Sequence, residues 1–168
     1  MHNEVCKVRK VKSSLSTSKC MHIEIDQSGK IEDTSHDTVV AYSNGKQKSL
    51  LIKAEEKRIL QQVFREAGKP HMFAVKTFAV LVYLLVRDDL EEIEQLTIDR
   101  EYVGYEWLIK QVVLQIVRRR GGALKKEEVM FWSVGKQSRA HVRAIAVYRG
   151  NQTPDVVVKA QDVLPYVL

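Results

Sequence analysis

This chain has little cysteine. Cys6 and Cys20 are the only two among its 168 residues. Two cysteines do not build a disulfide framework, and their scarcity fits a reducing, cytoplasmic setting. No CxxC spacing accompanies them, which argues against a zinc site on Cys20 and His22. Long apolar runs are missing too. The most hydrophobic stretch, Phe78 to Val86, is too short to span a bilayer and is flanked by Lys76 and Arg87. The first residues carry charges with no apolar segment behind them, so no secretory signal is expected. Internal repeats and low-complexity tracts are absent. Gly135-Lys136 is not a phosphate-binding P-loop, because that pattern needs a glycine where Met130 stands. These absences remove membrane, disulfide-scaffold, repeat and P-loop classes.

What remains is ordinary globular material. Hydrophobic residues make up 45% and charged residues 29%, enough for one domain with a substantial core. The net charge of +6 is unevenly placed. Lys7, Arg9, Lys10, Lys12 and Lys19 face Glu4 alone within residues 1–20, so most of the excess sits in that arm. Such an arm suits an acidic partner such as nucleic acid, and equally a solvated, flexible tail. The expected organisation is an arm over 1–20 and a single domain over 21–168.

Periodicity then sets the elements. His22 to Ile25 alternates polar and apolar, a strand signal. Asp26-Gln27-Ser28-Gly29 has turn chemistry, and Lys30 to Glu32 could return from it. Thr38 to Tyr42 is a β-branched run, Ser43-Asn44-Gly45 a tight hairpin turn, and Lys48 to Ile52 its partner strand. Three antiparallel strands are expected. From Ala54 the period becomes helical, with Ile59, Leu60, Val63 and Phe64 on one face until Gly68 and Pro70. A more apolar helix follows from Met72 to Arg87, suited to a core or to a homodimer interface. Leu96 to Asp99 reads as a strand and Gly104 to Arg120 as a helix ended by Gly121-Gly122. Val129 to Val134 reads as a strand, and Ser138 caps a helix reaching Tyr148. The order predicts an α/β fold: a mixed five-stranded sheet with helices on its faces.

Two of the strands stop at an acid: Ile23-Glu24-Ile25-Asp26 and Leu96-Thr97-Ile98-Asp99. If they are neighbours, Asp26 and Asp99 converge, and close carboxylates repel unless a cation lies between them. Singly, Asp26 also suits a turn and Asp99 a helix cap. Together, at matching strand ends, they favour a metal site. His141, in the first turn of the Ser138 helix, points toward the same edge, although a histidine at a helix start also has purely structural uses. Glu55 and Glu56 are weaker candidates, since first turns are often acidic for dipole reasons. Lys136 and Arg139 are placed to hold phosphate at a helix N-terminus. Arg143 and the run Arg118, Arg119 and Arg120 are further candidates for nucleic-acid contact, although cations also favour a helix C-terminus.

Ile98-Asp99-Arg100-Glu101-Tyr102-Val103 resembles the fourth-strand motif of ribonuclease H. Gly135 to Ala144 is similar to the last strand-to-helix junction of RuvC-type Holliday junction resolvases. With the order of elements, these segments resemble the ribonuclease H-like superfamily over roughly residues 21–150. The resemblance implies a ribonuclease H-like sheet and two-metal hydrolysis of phosphodiester bonds with Mg²⁺ or Mn²⁺. Asp26 would bridge both ions, Asp99 and either Glu55 or Glu56 would bind one each, and His141 would complete the set. The implied substrate is structured or duplex DNA or RNA, as for a resolvase-like endonuclease. A catalytically silent nucleic-acid-binding module on the same fold is the alternative. Two departures stand out: His141 replaces the usual acid, and the Met72–Arg87 helix is extra to the minimal fold.

Overall fold

The computed structural model describes residues 20–167. The expected basic arm, with Cys6, therefore lies outside the described residues except for Cys20. The first strand, β1, covers Met21–Ser28 and passes straight through Asp26, so the expected turn comes two residues later. Lys30 to Glu32 do not form a returning strand. Gly29 makes the turn in a left-handed conformation, φ 77°. A Cβ there would stand 2.3 Å from the Asp37 carbonyl oxygen and 2.7 Å from the Tyr148 ring, so only glycine closes this corner. β2 (Thr38–Ser43) and β3 (Lys48–Ile52) complete the antiparallel meander.

Helix α1 (Ala54–Glu66) and α2 (Phe73–Val86) then lead to β4 (Ile93–Asp99), which lies parallel to β1. Helix α3 (Glu106–Arg119) crosses to β5 (Val129–Trp132), parallel to β4. Helix α4 (Arg139–Tyr148) follows. The tail adds a sixth strand, β6 (Val156–Val158), parallel to β3, and α5 (Ala160–Val167). The sheet is thus six-stranded and mixed, in the order β5-β4-β1-β2-β3-β6. The expected five strands are all present, and the extra one is the Val156-Val157-Val158 run.

The two faces are unequally covered. Ile23 and Ile25 of β1 and Leu96 and Ile98 of β4 face the main core, which also takes side chains from α1, α2, α3 and α5. Twelve of the fourteen residues of α2 are buried, so this helix is spent on the core and its apolar surface is not free for a dimer interface. Among the described residues the opposite face carries α4 as its one helix. Ala144 and Val147 pack on Val39 and Ala41 in a small second cluster. Small side chains at that contact let α4 approach the sheet closely. Among the described residues no helix is long and apolar enough to cross a membrane.

Candidate metal centre

Strand register brings the acids together. Glu24 pairs with Thr97 and Ile25 with Ile98 across parallel β1 and β4, so the next step sets Asp26 beside Asp99 on one face. Strand alternation gives that face Glu24, Asp26, Thr97 and Asp99. β4 ends at Asp99, and the Glu101 amide bonds back to the Asp99 carbonyl at 2.9 Å, folding Glu101 over the strand end. Ligand oxygens of Asp26, Asp99 and Glu101 all lie within 4.8 Å of one another, the one such cluster of three among the described residues.

Asp26 and Asp99 are held by direct bonds, whereas Glu101 is exposed and is placed by its loop. Asp26 is 3% exposed. Its Oδ1 accepts from the Gln27 amide at 2.8 Å, and its Oδ2 lies 2.7 Å from His141 Nδ1. Asp99 Oδ1 accepts from the Val134 amide at 2.7 Å, tying β4 to the loop after β5. The Glu101 loop is anchored by Tyr102, whose ring meets Phe78 at 5.0 Å and whose hydroxyl lies 3.3 Å from the Gln27 side chain. Burial pushes the Asp26 carboxyl above its usual range, with Asp99 adding to the rise; bonds from Gln27 and His141 work the other way. Desolvation, and then the Asp99 and Asp26 charges, raise Glu101 as well, while Lys30 opposes the rise. Three converging acids, two of them harder to ionise than normal, form a local excess of negative charge that a cation would relieve.

α4 delivers His141. Ser138 is the N-cap, accepting from the Ala140 amide at 3.2 Å. The same hydroxyl donates to Glu24 Oε2 at 2.8 Å, fastening the helix start to β1. His141 sits three positions into the helix, over Asp26.

The other expected residues divide clearly. Glu55 and Glu56 stand at the start of α1, beyond β3 and two strands from Asp26. Glu56 caps α5 instead, accepting from the Ala160 amide at 2.7 Å. Glu101 occupies the place sought for them. Its signal was available: two residues after Asp99, it shares that residue's face if the extended chain continues. Lys136 and Arg139 are exposed on the loop and first turn beside the acids. Arg143 is consumed internally, bonding Gln152, the Thr153 carbonyl at 3.2 Å and Asp155 at 3.2 Å. Arg118 and Arg119 end α3, which runs back from the acidic edge, so they lie about 20 Å along the sheet from it. Arg120 stacks over the Tyr166 ring at 5.0 Å. His22 faces Glu94 at 3.3 Å, and among the described residues neither it nor Cys20 belongs to a cluster of three metal-ligating side chains.

No family model, curated protein or solved structure matches this chain. The functional reading therefore rests on the geometry just described.

Proposed function

We propose that this protein is a divalent-metal-dependent nuclease, hydrolysing phosphodiester bonds of structured or duplex nucleic acid on a ribonuclease H-like fold. The observation that carries the reading is the convergence of Asp26, Asp99 and Glu101 within 4.8 Å, with His141 bonded to Asp26. The strand order β3-β2-β1-β4-β5, antiparallel and then parallel, supports the fold assignment. On this reading β6 and α2 are additions to the minimal fold.

The donor set fits Mg²⁺ or Mn²⁺. All three acids offer hard oxygen ligands, and Asp26 and Glu101 are raised first by desolvation and further by their acidic neighbours. Asp26, Asp99 and Glu101 would hold the cation, or the pair of cations the resemblance implies. Bound there, it supplies Lewis-acid activation of water and offsets charge developing on the phosphate. The protein's own groups do the rest. The Gln27 amide and His141 fix the buried Asp26 carboxylate in one orientation. With Nδ1 committed to Asp26, the Nε2 of His141 is the ring nitrogen left to exchange a proton with water or the leaving oxygen. Exposed Lys136 and Arg139 sit at the same edge to hold flanking phosphates.

The test is cleavage of duplex, hybrid, single-stranded and four-way-junction substrates with Mn²⁺ by wild type and Asp26→Asn. The variant should lose cleavage and keep binding. Equal cleavage by both would remove Asp26 from the chemistry and overturn the assignment. One observation favours a catalytically silent binding module instead. Asp26 already has protein partners for both oxygens, so the cluster can be satisfied by sharing protons. Wild-type binding without cleavage on every substrate would select that alternative.

A further inference from the structure

Both tryptophans of the chain are exposed, and one stands beside the acidic cluster. The β4–β5 register pairs Asp99 with Trp132 and Thr97 with Met130. Asp26, Asp99 and Trp132 therefore form a row across three neighbouring strands on one face of the sheet. Adjacent strands are about 4.8 Å apart, so the indole starts one strand from the Asp99 carboxylate. Trp132 is 69% exposed and Met130 44%. Phe131 between them points the other way and packs on the main core. Helix α4 covers this face over β1, β2 and β3, while the β4–β5 side keeps these two large side chains in solvent. β5 is an edge strand, and among the described residues no strand of the sheet lies beyond it.

An exposed indole costs hydration and is common where a flat partner stacks. Here its neighbours define the partner. Three acids lie on one side, and exposed Lys136 and Arg139 follow four and seven residues later in the chain. Cations for phosphates, an aromatic plane for a base and a phosphodiester-directed metal centre recur together along a single nucleic-acid strand. Within a duplex both faces of a base are already stacked, so the indole can be used only by an unpaired or splayed nucleotide.

We propose that Trp132, extended by Met130, is a stacking platform for an unpaired base next to the scissile phosphate. The substrate is then structured nucleic acid with unpaired nucleotides at the cut, rather than continuous duplex. This inference rests on the nuclease reading for the position of the scissile phosphate, but its binding test does not depend on cleavage.

The measurement is affinity of the full chain, in EDTA, for a labelled oligothymidylate, an oligouridylate and a blunt duplex. Wild type, Trp132→Ala and Trp132→Phe are compared. Trp132→Ala should weaken single-strand binding by about tenfold and leave blunt-duplex binding unchanged, while Trp132→Phe keeps most of the affinity. In a Trp107→Phe background Trp132 is the sole tryptophan, and the single strand should quench its fluorescence. Equal single-strand affinity for wild type and Trp132→Ala overturns the platform; if Mn²⁺-dependent cleavage persists, the nuclease reading survives that loss. Stacking by Trp132 in a wild-type protein that never cleaves leaves the platform standing and removes the nuclease. Self-association that Trp132→Ala abolishes would show the face to be an interface between copies and overturn the platform. Absence of nucleic-acid binding in every form overturns it too.

Discussion

Lys57 is a heavily committed residue outside the acidic edge. It is fully buried in α1, and its ammonium donates to the Lys30 carbonyl at 2.9 Å, the Asp33 carbonyl at 2.6 Å and the Thr38 hydroxyl at 3.0 Å. Those bonds staple the β1–β2 connection to the helix. Burial nevertheless lowers its pKa from 10.5 to about 8, against the opposing pull of Asp33, Asp37 and Glu32. The unfolded chain thus holds this proton up to about 10.5 and the folded chain only to about 8. Between those values the unfolded state binds more protons, so the Lys57 contribution to stability increases as pH rises. Denaturant midpoints of wild type and Lys57→Met across that window test this. The difference between them should widen with pH, and a constant difference would refute it. Near neutrality the variant should already be less stable by about 2 kcal/mol, because two carbonyls and a hydroxyl lose their donor. Nothing in the helical pattern of α1 marks Lys57 as buried, since a lysine among Glu55, Glu56 and Arg58 looks solvated. Asp26 and Asp99 were legible because each ends an apolar run. Glu101 was marked only by its two-residue spacing from Asp99, because it lies past the strand end and the backbone turn at Asp99 is what brings it back.

At the scale of elements, α4 is the part that sets His141 over the acidic cluster. Ala144 and Val147 pack on the sheet beneath it, and its start is fixed by Ser138 to Glu24. Losing the Ser138 hydroxyl removes a helix cap and orphans a half-buried carboxylate oxygen. Ser138→Ala should lower stability by about 1 kcal/mol. If the proposed cleavage activity is present, the substitution should also lower kcat more than it raises KM, because His141 is displaced while Lys136 and Arg139, proposed to hold phosphate, remain. Ser138→Thr keeps both bonds and should restore both properties. An Ala variant with wild-type kcat would show that the cap is structural only. The cap, the hairpin at Ser43-Asn44-Gly45 and the buried α2 were readable from local residue chemistry. β6 was harder. Three valines after a proline make a short run, and they become a strand only because β3 offers a free edge and Asp155 binds the Ser49 amide and hydroxyl at 2.8 and 3.1 Å. That edge is a tertiary fact with no local signature. The internal pairing of Arg143 was hidden for the same reason, since its partners Gln152, Thr153 and Asp155 lie in the loop that leads into β6.

For the whole molecule, the acidic edge concentrates carboxylates at a cost to folding stability. The folded state gathers Asp26, Asp99 and Glu101 where burial and mutual repulsion raise two of them, whereas the unfolded chain keeps them apart. A group whose pKa rises on folding adds stability at low pH and withdraws it as pH climbs through the raised value. At neutral pH the cluster is therefore a cost, and a ligand that binds only the folded state offsets it. At a hundredfold excess over its dissociation constant such a ligand contributes about 2.7 kcal/mol. For a chain of this size that corresponds to a rise in melting temperature of roughly 5–10 °C. Wild type should show such a rise with Mn²⁺ and a smaller one with Mg²⁺, following the usual affinity order. Glu101→Gln separates a metal centre from an incidental cluster. Without metal it should melt higher than wild type, because one repelling charge is gone. With saturating Mn²⁺ it should gain less, because one oxygen ligand is weaker, so the two melting curves should change order as the ion is added. If Glu101→Gln and wild type gain equally from Mn²⁺, Glu101 is no ligand. If neither gains, the three acids are held together by the fold alone, and the charge they concentrate has no cation to answer it.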